Sequence, residues 1–286
     1  MESPSGTKEN LQVALNRALG GGVCGATAMV AQVGSLMWLR TTMNYQYRHG
    51  TGTREALQTL YRQGGVPRLY RGLGPALLQG PLSRFGDTAM NTGVMSFLNQ
   101  EPITRELPIG VKTGVASSGA ALWRIALMPL DTVKTMMQVE GTQGLPLLRT
   151  KLRQGGPRVL FHGSMAASGA TFVGHYPWFL VYNVLGQRIP EQTGLWPTLC
   201  RNATIGFCSS VVSDGCSNSL RVIKTTKQSY GVAISYPEVL REIVHKEGYQ
   251  GVMTRGLKTR ILANGLQGMM FTIIFKGLQK KWEATG

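Results

Sequence analysis

The amino-acid sequence predicts an all-α membrane protein with six transmembrane helices and three short amphipathic helices on one side. Three observations lead to this prediction: six segments poor in charge, three basic connections between them, and a threefold internal repeat. Only 15% of the 286 residues are charged, although the formal net charge is +16. In membrane proteins, positive charge is typically concentrated in the connections on one side of the membrane.

Six segments approach the roughly 20 residues that a helix needs to cross a bilayer. They run over 12–39, 73–98, 110–133, 164–186, 197–220 and 257–279. Polar or charged residues interrupt them, which fits helices with one face toward a water-filled cavity. A soluble all-helical protein is the alternative. The 37 glycines disfavour it, because glycine costs about 1 kcal/mol inside a soluble helix, whereas small residues let membrane helices approach closely.

The basic residues lie mainly in three long connections, around 40–72, 134–163 and 221–256. The short connections near 99–109 and 187–196 are close to neutral. Six spans that put every basic connection on one side satisfy the positive-inside rule. A nucleic-acid-binding protein would not need its charge divided among three loops, so we expect no nucleic-acid partner.

Each basic connection also contains a short amphipathic helix. These helices are predicted around Leu60, around Leu148, and after Ser235, which forms a capping box with Glu238. We expect them to lie at the membrane surface with the apolar face toward lipid. Membrane lipid is therefore an expected partner, with anionic lipid as the candidate at these basic helices.

No motif predicts an enzyme, a cofactor or a metal site. The sequence lacks a phosphate-binding loop, a nucleophile elbow and a dinucleotide-binding motif. Cys200, Cys208 and Cys216 recur every eight residues in an apolar stretch, without histidines at ligand spacing. We interpret them as small helix-packing residues. The N-terminal residues lack the pattern of a secretory or transit peptide, so any organelle targeting is expected to be internal.

The chain repeats itself with a period of about 90 residues. Tyr70-Arg71-Gly72, Phe161-His162-Gly163 and Thr254-Arg255-Gly256 mark equivalent points. Upstream of each lies a hexamer, at 35–40, 129–134 and 219–224. We predict three repeats over 1–99, 100–192 and 193–286 that form one integrated membrane domain.

The hexamer Pro129-Leu130-Asp131-Thr132-Val133-Lys134 resembles the signature Pro-x-Asp/Glu-x-x-Lys/Arg of the mitochondrial carrier family. The motifs that end at Gly72, Gly163 and Gly256 resemble the second half of that signature. The resemblance implies a pseudo-threefold bundle of six tilted helices around a solute cavity in the mitochondrial inner membrane. It also implies that the termini face the intermembrane space and the amphipathic helices face the matrix. We expect a monomer.

In this family, an acid on one odd-numbered helix pairs with a base on the next and closes a gate on the matrix side. The resemblance implies the following gate residues here: Arg40, Asp131, Lys134, Arg221 and Lys224, braced by Gln138 and Gln228. Met37 and Arg221 replace two of the acids. We therefore expect one remaining pair, Asp131 with Lys224. Lys134 is expected to face Met37, and Arg40 to face Arg221.

The even-numbered helices lack the acids that form the opposite gate in the family, which disfavours a strict exchanger with two ion-pair gates. The alternative is neutral drift in a carrier whose gates use other contacts.

Ionisable residues within the predicted spans are candidates for solute contact. They are Arg84, Asp87, Arg124, His175, Asp214 and Arg260. The alternatives are a structural pair between Arg124 and Asp214, a structural histidine at His175, and a helix-end role for Arg260. Ala170 and Thr171, at a position that separates substrate classes in the family, are uncharged.

The excess of bases over acids predicts transport of a small anionic metabolite, held by charge-assisted hydrogen bonds. A non-transporting protein that keeps the carrier fold as an adaptor or assembly subunit is the alternative, favoured by the loss of gate charges.

Overall fold

The computed structural model describes residues 27, 29–100, 106, 107, 109–191 and 193–285. Within these ranges the fold is all-α, with no strand, as the sequence predicts. The helices are α1 (29–49), α2 (Thr53–Arg62), α3 (Gly65–Leu69), α4 (Leu73–Gln100), α5 (Ile109–Ala126), α6 (Met128–Glu140), α7 (Gly144–Gly155), α8 (Ser164–Arg188), α9 (Leu195–Ser229), α10 (Tyr236–Thr254) and α11 (Leu257–Thr285). Two short 3₁₀ turns cover Gly141–Gln143 and Pro157–Phe161.

The long helices form a closed ring. Neighbours in chain order pack together, from α4 against α5, through α8 against α9, to α9 against α11. Helix α1 closes the ring, because Val33 and Met37 pack on Ala76 of α4, while Leu36 and Leu39 pack on α11. The third member of the ring is the kinked pair α5 and α6. The ring leaves a cavity at its centre.

The hydropathy of the described helices does not match the prediction of six membrane-spanning segments. Within the described ranges, no helix is both long enough and apolar enough to meet the criterion for crossing a membrane.

The break between α5 and α6 lies next to Pro129. Leu127 separates the two helices, and Pro129 lies in the first turn of α6, where a proline is tolerated because its missing N–H has no helical partner. The equivalent positions in the other repeats are Ser35 and Ser219. There α1 and α9 run without interruption. The break between two helices is therefore present in the one described repeat that retains the proline.

Glycines with left-handed backbone recur at equivalent points of the three repeats. Gly72, Gly163 and Gly256 have φ of 85°, 87° and 64°. A Cβ at Gly72 would lie 3.0 Å from the carbonyl oxygen of Lys134, and a Cβ at Gly163 would lie 3.1 Å from that of Lys224. The second long helix of each repeat (α4, α8 and α11) thus begins in close contact with the gate region of the next repeat. Only glycine permits this contact.

The amphipathic segments pack against the ends of the ring helices. In α2, Ala56 and Leu60 are buried against Tyr45 of α1. In α7, Leu148 packs on Met136 of α6. This corrects the expectation that the apolar faces lie toward lipid, because they pack on apolar side chains of the ring helices. The predicted capping box of Ser235 and Glu238 is confirmed at the start of α10.

Three basic side chains cap helix ends in a cyclic pattern. Arg68 donates to carbonyls in the last turn of α6, Lys151 to carbonyls at the end of α9, and Arg255 to carbonyls at the end of α1. Carbonyls at a helix C-terminus lack helical partners and favour a nearby cation. Each base therefore ties its own repeat to the following one.

Candidate functional site

A cavity of about 360 Å³ lies inside the ring of long helices. Among its described lining residues six are basic and one, Asp131, is acidic. The basic residues are Arg40, Arg124, Lys134, Arg221, Lys224 and Arg260. Its wall therefore carries a large positive excess, and any solute bound there meets guanidinium and ammonium groups from helices of all three repeats.

Asp131 is the centre of the gate contacts. It is 3% exposed, and its two carboxylate oxygens pair with different lysines. Oδ1 accepts from Lys134 Nζ at 2.8 Å, and Oδ2 forms an ion pair with Lys224. The expected contact between Asp131 and Lys224 is present, and it joins α6 to α9. The expectation that Lys134 faces Met37 is wrong, because Lys134 reaches the nearer carboxylate one turn earlier in its own helix.

The bracing amides extend this network across the bundle. Gln228 donates through Nε2 to Asp131 Oδ2 at 3.2 Å, as the family pattern implies. Gln138 instead accepts from Asn44 at 2.5 Å and donates to the sulfur of Met37 at 3.6 Å. Without an acid at Met37, the first repeat substitutes a weak sulfur contact for an ion-pair brace.

Arg40 contacts α11, the last long helix of the ring. Its Nη2 donates to Gln267 Oε1 on α11 at 2.9 Å, and Gln32 donates to the carbonyl of the same Gln267 at 2.6 Å. The expected direct opposition of Arg40 to Arg221 is therefore corrected, because an amide acceptor is available beside the first helix. Arg221 donates through Nε to Ser217 Oγ in its own helix at 3.2 Å.

Asp214 pairs with Arg260. Its Oδ1 accepts from Arg260 Nε at 2.5 Å, and its Oδ2 accepts from the amide of Asn264. The alternative of a structural pair between Arg124 and Asp214 is not what the structure contains. Arg124 donates to Ser83 Oγ on α4 at 2.7 Å. Arg124 and Arg260 both line the cavity. The ion pair with Asp214 orients Arg260.

The remaining candidate contacts lie elsewhere. His175 is half-buried between α8 and α5, where its Nδ1 is 3.3 Å from Ser117 Oγ, and it is not among the described residues that line the cavity. The side chains of Arg84 and Asp87 lie outside the described residues. Their proposed contact with solute therefore stays a prediction.

Sequence reasoning missed the uncharged polar residues of the cavity wall. Gln79 accepts from Lys134 at 2.7 Å, and Gln79, Ser83, Asn264 and Gln267 all line the cavity. A signal was present, because all four lie seven, eight or eleven residues after the glycine that begins their helix. Such offsets share one helix face, whereas the sequence prediction of solute contacts rests on ionisable residues.

Comparison with known proteins agrees with this geometry. A family model described as "Mitochondrial carrier protein" matches residues 12–101 and 105–192. Because the match covers more than half of the residues, the chain belongs to the mitochondrial carrier family. The proteins of this family are membrane transporters, not enzymes, and move solutes across the mitochondrial inner membrane.

Two relatives show how distant the similarity is. Protein dif-1 of Caenorhabditis elegans is 29% identical over 123 residues, which cover 40% of this chain and 38% of that protein. The calcium-dependent mitochondrial ATP-magnesium/phosphate carrier protein 2 of Arabidopsis thaliana is 20% identical over 297 aligned positions. This match covers 98% of this chain and 59% of that protein. The chain therefore covers less than two thirds of either relative.

Proposed function

We propose that the chain moves a small anionic metabolite across the mitochondrial inner membrane by alternating access through the central cavity. The observation that carries this proposal is the charge of the cavity wall, with six bases against one acid among its described lining residues. Buried positive charges are costly unless an anion accompanies them. Charge-assisted hydrogen bonds from guanidinium groups are also about twice as strong as neutral ones.

The membrane arrangement is part of the proposal. The six ring members would each cross the bilayer, in three repeats over 1–99, 100–192 and 193–286. The basic helices α2, α7 and α10 would face the matrix, and both termini would face the intermembrane space. The positive-inside rule supports this orientation. The protein would act as a monomer, with anionic lipid at the basic helices.

The residues that we assign to the solute are Arg124 and Arg260, with Asp214 orienting Arg260. Arg84, Asp87 and His175 remain proposed contacts in other conformations of the cycle. The matrix gate would consist of Asp131 between Lys134 and Lys224. Opening toward the matrix would separate α6 from α9 and break the pair between Asp131 and Lys224.

Uptake into liposomes tests the proposal. Purified protein would be reconstituted and offered labelled carboxylates, phosphate, nucleotides and amino acids, with empty liposomes as the blank. We expect saturable uptake of at least one anion and none of the cationic amino acid lysine. Arg124→Gln should reduce anion uptake at least tenfold, whereas Arg149→Gln, an exposed arginine on α7, should not. Uptake of lysine in preference to every anion would contradict the proposal.

The adaptor function is the second candidate, because two of the three gate acids are replaced, by Met37 and Arg221. A ligand that binds only the folded state stabilises it by RT ln(1 + [L]/Kd). Absence of both uptake and any ligand-dependent shift in melting temperature across the panel would favour the adaptor. A shift of the melting temperature with one anion would favour the carrier.

A further inference from the structure

Three arginines from different helices contribute to the cavity wall. Arg124 belongs to α5, Arg221 to α9 and Arg260 to α11, and all three line the cavity. Arg221 is close enough to Arg260 and Arg124 for their charges to repel its own, and the nearby carboxylate of Asp214 offsets part of this repulsion. Among the described residues, the acid next to these arginines is Asp214, which uses one oxygen for Arg260 and the other for Asn264. Counted over these described residues, three bases face one acid, which leaves a positive excess.

Arg221 occupies the position that Asp131 has in the second repeat. Asp131 neutralises Lys134 and Lys224 there, whereas Arg221 adds a charge of the opposite sign. Its guanidinium donates to Ser217 and has no ion-pair partner among the residues that the structure describes. A charge buried inside a helical bundle is costly unless a counter-charge lies next to it. An anion from outside the protein can supply it.

The cavity also restricts the size and type of that anion. Its volume of about 360 Å³ lies at the lower end of the range for small-molecule sites. Hydroxyl and amide groups complete the wall, at Gln79, Ser83, Thr171, Thr225, Asn264 and Gln267. Among the described lining residues the one aromatic is Tyr47, which is 1% exposed and donates its hydroxyl to Asn218. The described part of the wall thus offers no aromatic face on which a nucleobase could stack.

We infer that the transported solute is a small dianion, a dicarboxylate or inorganic phosphate, with one anionic group held between Arg124 and Arg221. The inference rests on the proposed transport function and names its substrate class. Two negative charges on a compact frame match the excess of bases, and hydroxyl and amide donors satisfy the remaining oxygens. The solute supplies, in the third repeat, the negative charge that Asp131 supplies in the second.

Uptake by proteoliposomes tests the substrate class with four labelled probes: succinate, inorganic phosphate, butyrate and ATP. We expect kcat/KM for succinate or phosphate to exceed that for butyrate and ATP at least tenfold. The ratio of kcat/KM for succinate to kcat/KM for phosphate shows whether the dianion is a dicarboxylate or inorganic phosphate. Preferred uptake of ATP or butyrate would overturn the dianion and leave the anion carrier standing. Uptake of none of the probes would overturn both proposals.

A second experiment tests the role of Arg221. Arg221→Gln should raise KM for the preferred dianion at least tenfold and leave kcat within about twofold. Arg149→Gln removes the same charge from an exposed position and should leave both constants unchanged. Without solute, Arg221→Gln should melt at or above the temperature of the parent protein, because one repelling guanidinium is gone. Addition of the dianion should stabilise the parent protein and not the variant.

KM reports on binding of the solute, and the melting temperature without solute reports on the stability of the fold. An arginine that only supports the fold would lower the melting temperature of the variant without a change in KM. That result, or an unchanged KM with an unchanged response to the dianion, would overturn the assignment of Arg221.

Discussion

Asp131 is the residue on which the charge balance of the gate depends. It is buried and holds two lysines from different helices, which would otherwise repel each other and the neighbouring arginines. Removal of one partner from a buried ion pair costs about 3–5 kcal/mol. The lysine side chains are 16% and 17% exposed, so the cost here should be smaller.

Asp131→Asn should therefore open the matrix side of the gate and lower the melting temperature. Met37→Leu, at the equivalent position of the first repeat, should do neither, because Met37 makes no ionic contact. A cysteine in place of Thr135, one turn further along α6 and 1% exposed, reports the opening. With the native cysteines replaced by serine, its rate of reaction with an impermeant thiol reagent should rise in the Asp131→Asn background. Equal labelling in both backgrounds would mean that Asp131 does not close the gate.

Lys151 makes a prediction about pH. It is 4% exposed, and burial lowers its pKa to about 8, with Arg48 and Lys227 opposing the charge and Glu140 favouring it. In the unfolded chain the pKa is near 10.4. Between pH 8 and 10.4 the unfolded state thus binds more protons, so the free energy of unfolding rises with pH in this window.

The comparison of parent protein with Lys151→Met isolates this effect, since the other titrating groups are common to both. The melting temperature of the parent should rise relative to the variant by several degrees from pH 8 to 10.4. About 1 kcal/mol corresponds to roughly 2–4 °C for a large domain. A difference that stays constant over this range would show that Lys151 does not titrate there.

At the scale of the helix, the cyclic caps link the three repeats. Arg68 donates from Nη1 to the carbonyl of Gln138 at 2.8 Å and from Nη2 to that of Val139 at 2.7 Å. Arg68 is 4% exposed, and burial lowers its pKa from the usual value. The carbonyls at the end of α6 depend on this one side chain for their charged hydrogen bonds.

Arg68→Met should destabilise the protein by about 1.5–3 kcal/mol for each charged hydrogen bond lost, with a lower melting temperature as the readout. Arg62→Met is the matched control, because Arg62 is an exposed arginine in the adjacent helix α2. Hydrogen exchange should show faster exchange at the end of α6 in Arg68→Met alone. Similar melting temperatures for the two variants would show that the cap contributes little.

At the scale of the whole molecule, the three repeats form one closed ring. Helix α1 meets both α4 and α11, so the first and last repeats are joined directly. Closure of this kind supports the proposal that the repeats form one integrated domain, because α1 of the first repeat packs on helices of both the first and the last repeat. It also encloses the cavity, to which all three repeats contribute bases.

An even number of spans predicts that both termini lie on the same side of the membrane. We expect tags at the N- and C-termini to be cleaved together when protease reaches the intermembrane space of isolated mitochondria, and to be protected together in intact ones. A tag inserted at Gly231, in the connection between α9 and α10, should stay protected until the inner membrane is opened. Termini on opposite sides would overturn the six-span arrangement.

Several features followed from the sequence because they depend on one segment alone. Pro129 accounts for the break before α6, since a proline ring limits the backbone of its neighbours wherever the segment lies. Ser235 and Glu238 predicted a capping box within three residues of each other. The repeat period of about 90 residues predicted the order of the long helices.

Partner choice was decided by the tertiary structure. Lys134 binds Asp131, Arg40 binds Gln267, and Asp214 binds Arg260, none of which follows from a motif. The strength of an ion pair depends on distance and local dielectric, and both are set by how segments far apart in the chain pack. For the same reason the amides and hydroxyls of the cavity wall became recognisable as a site only when the ring of helices brought them to a common space.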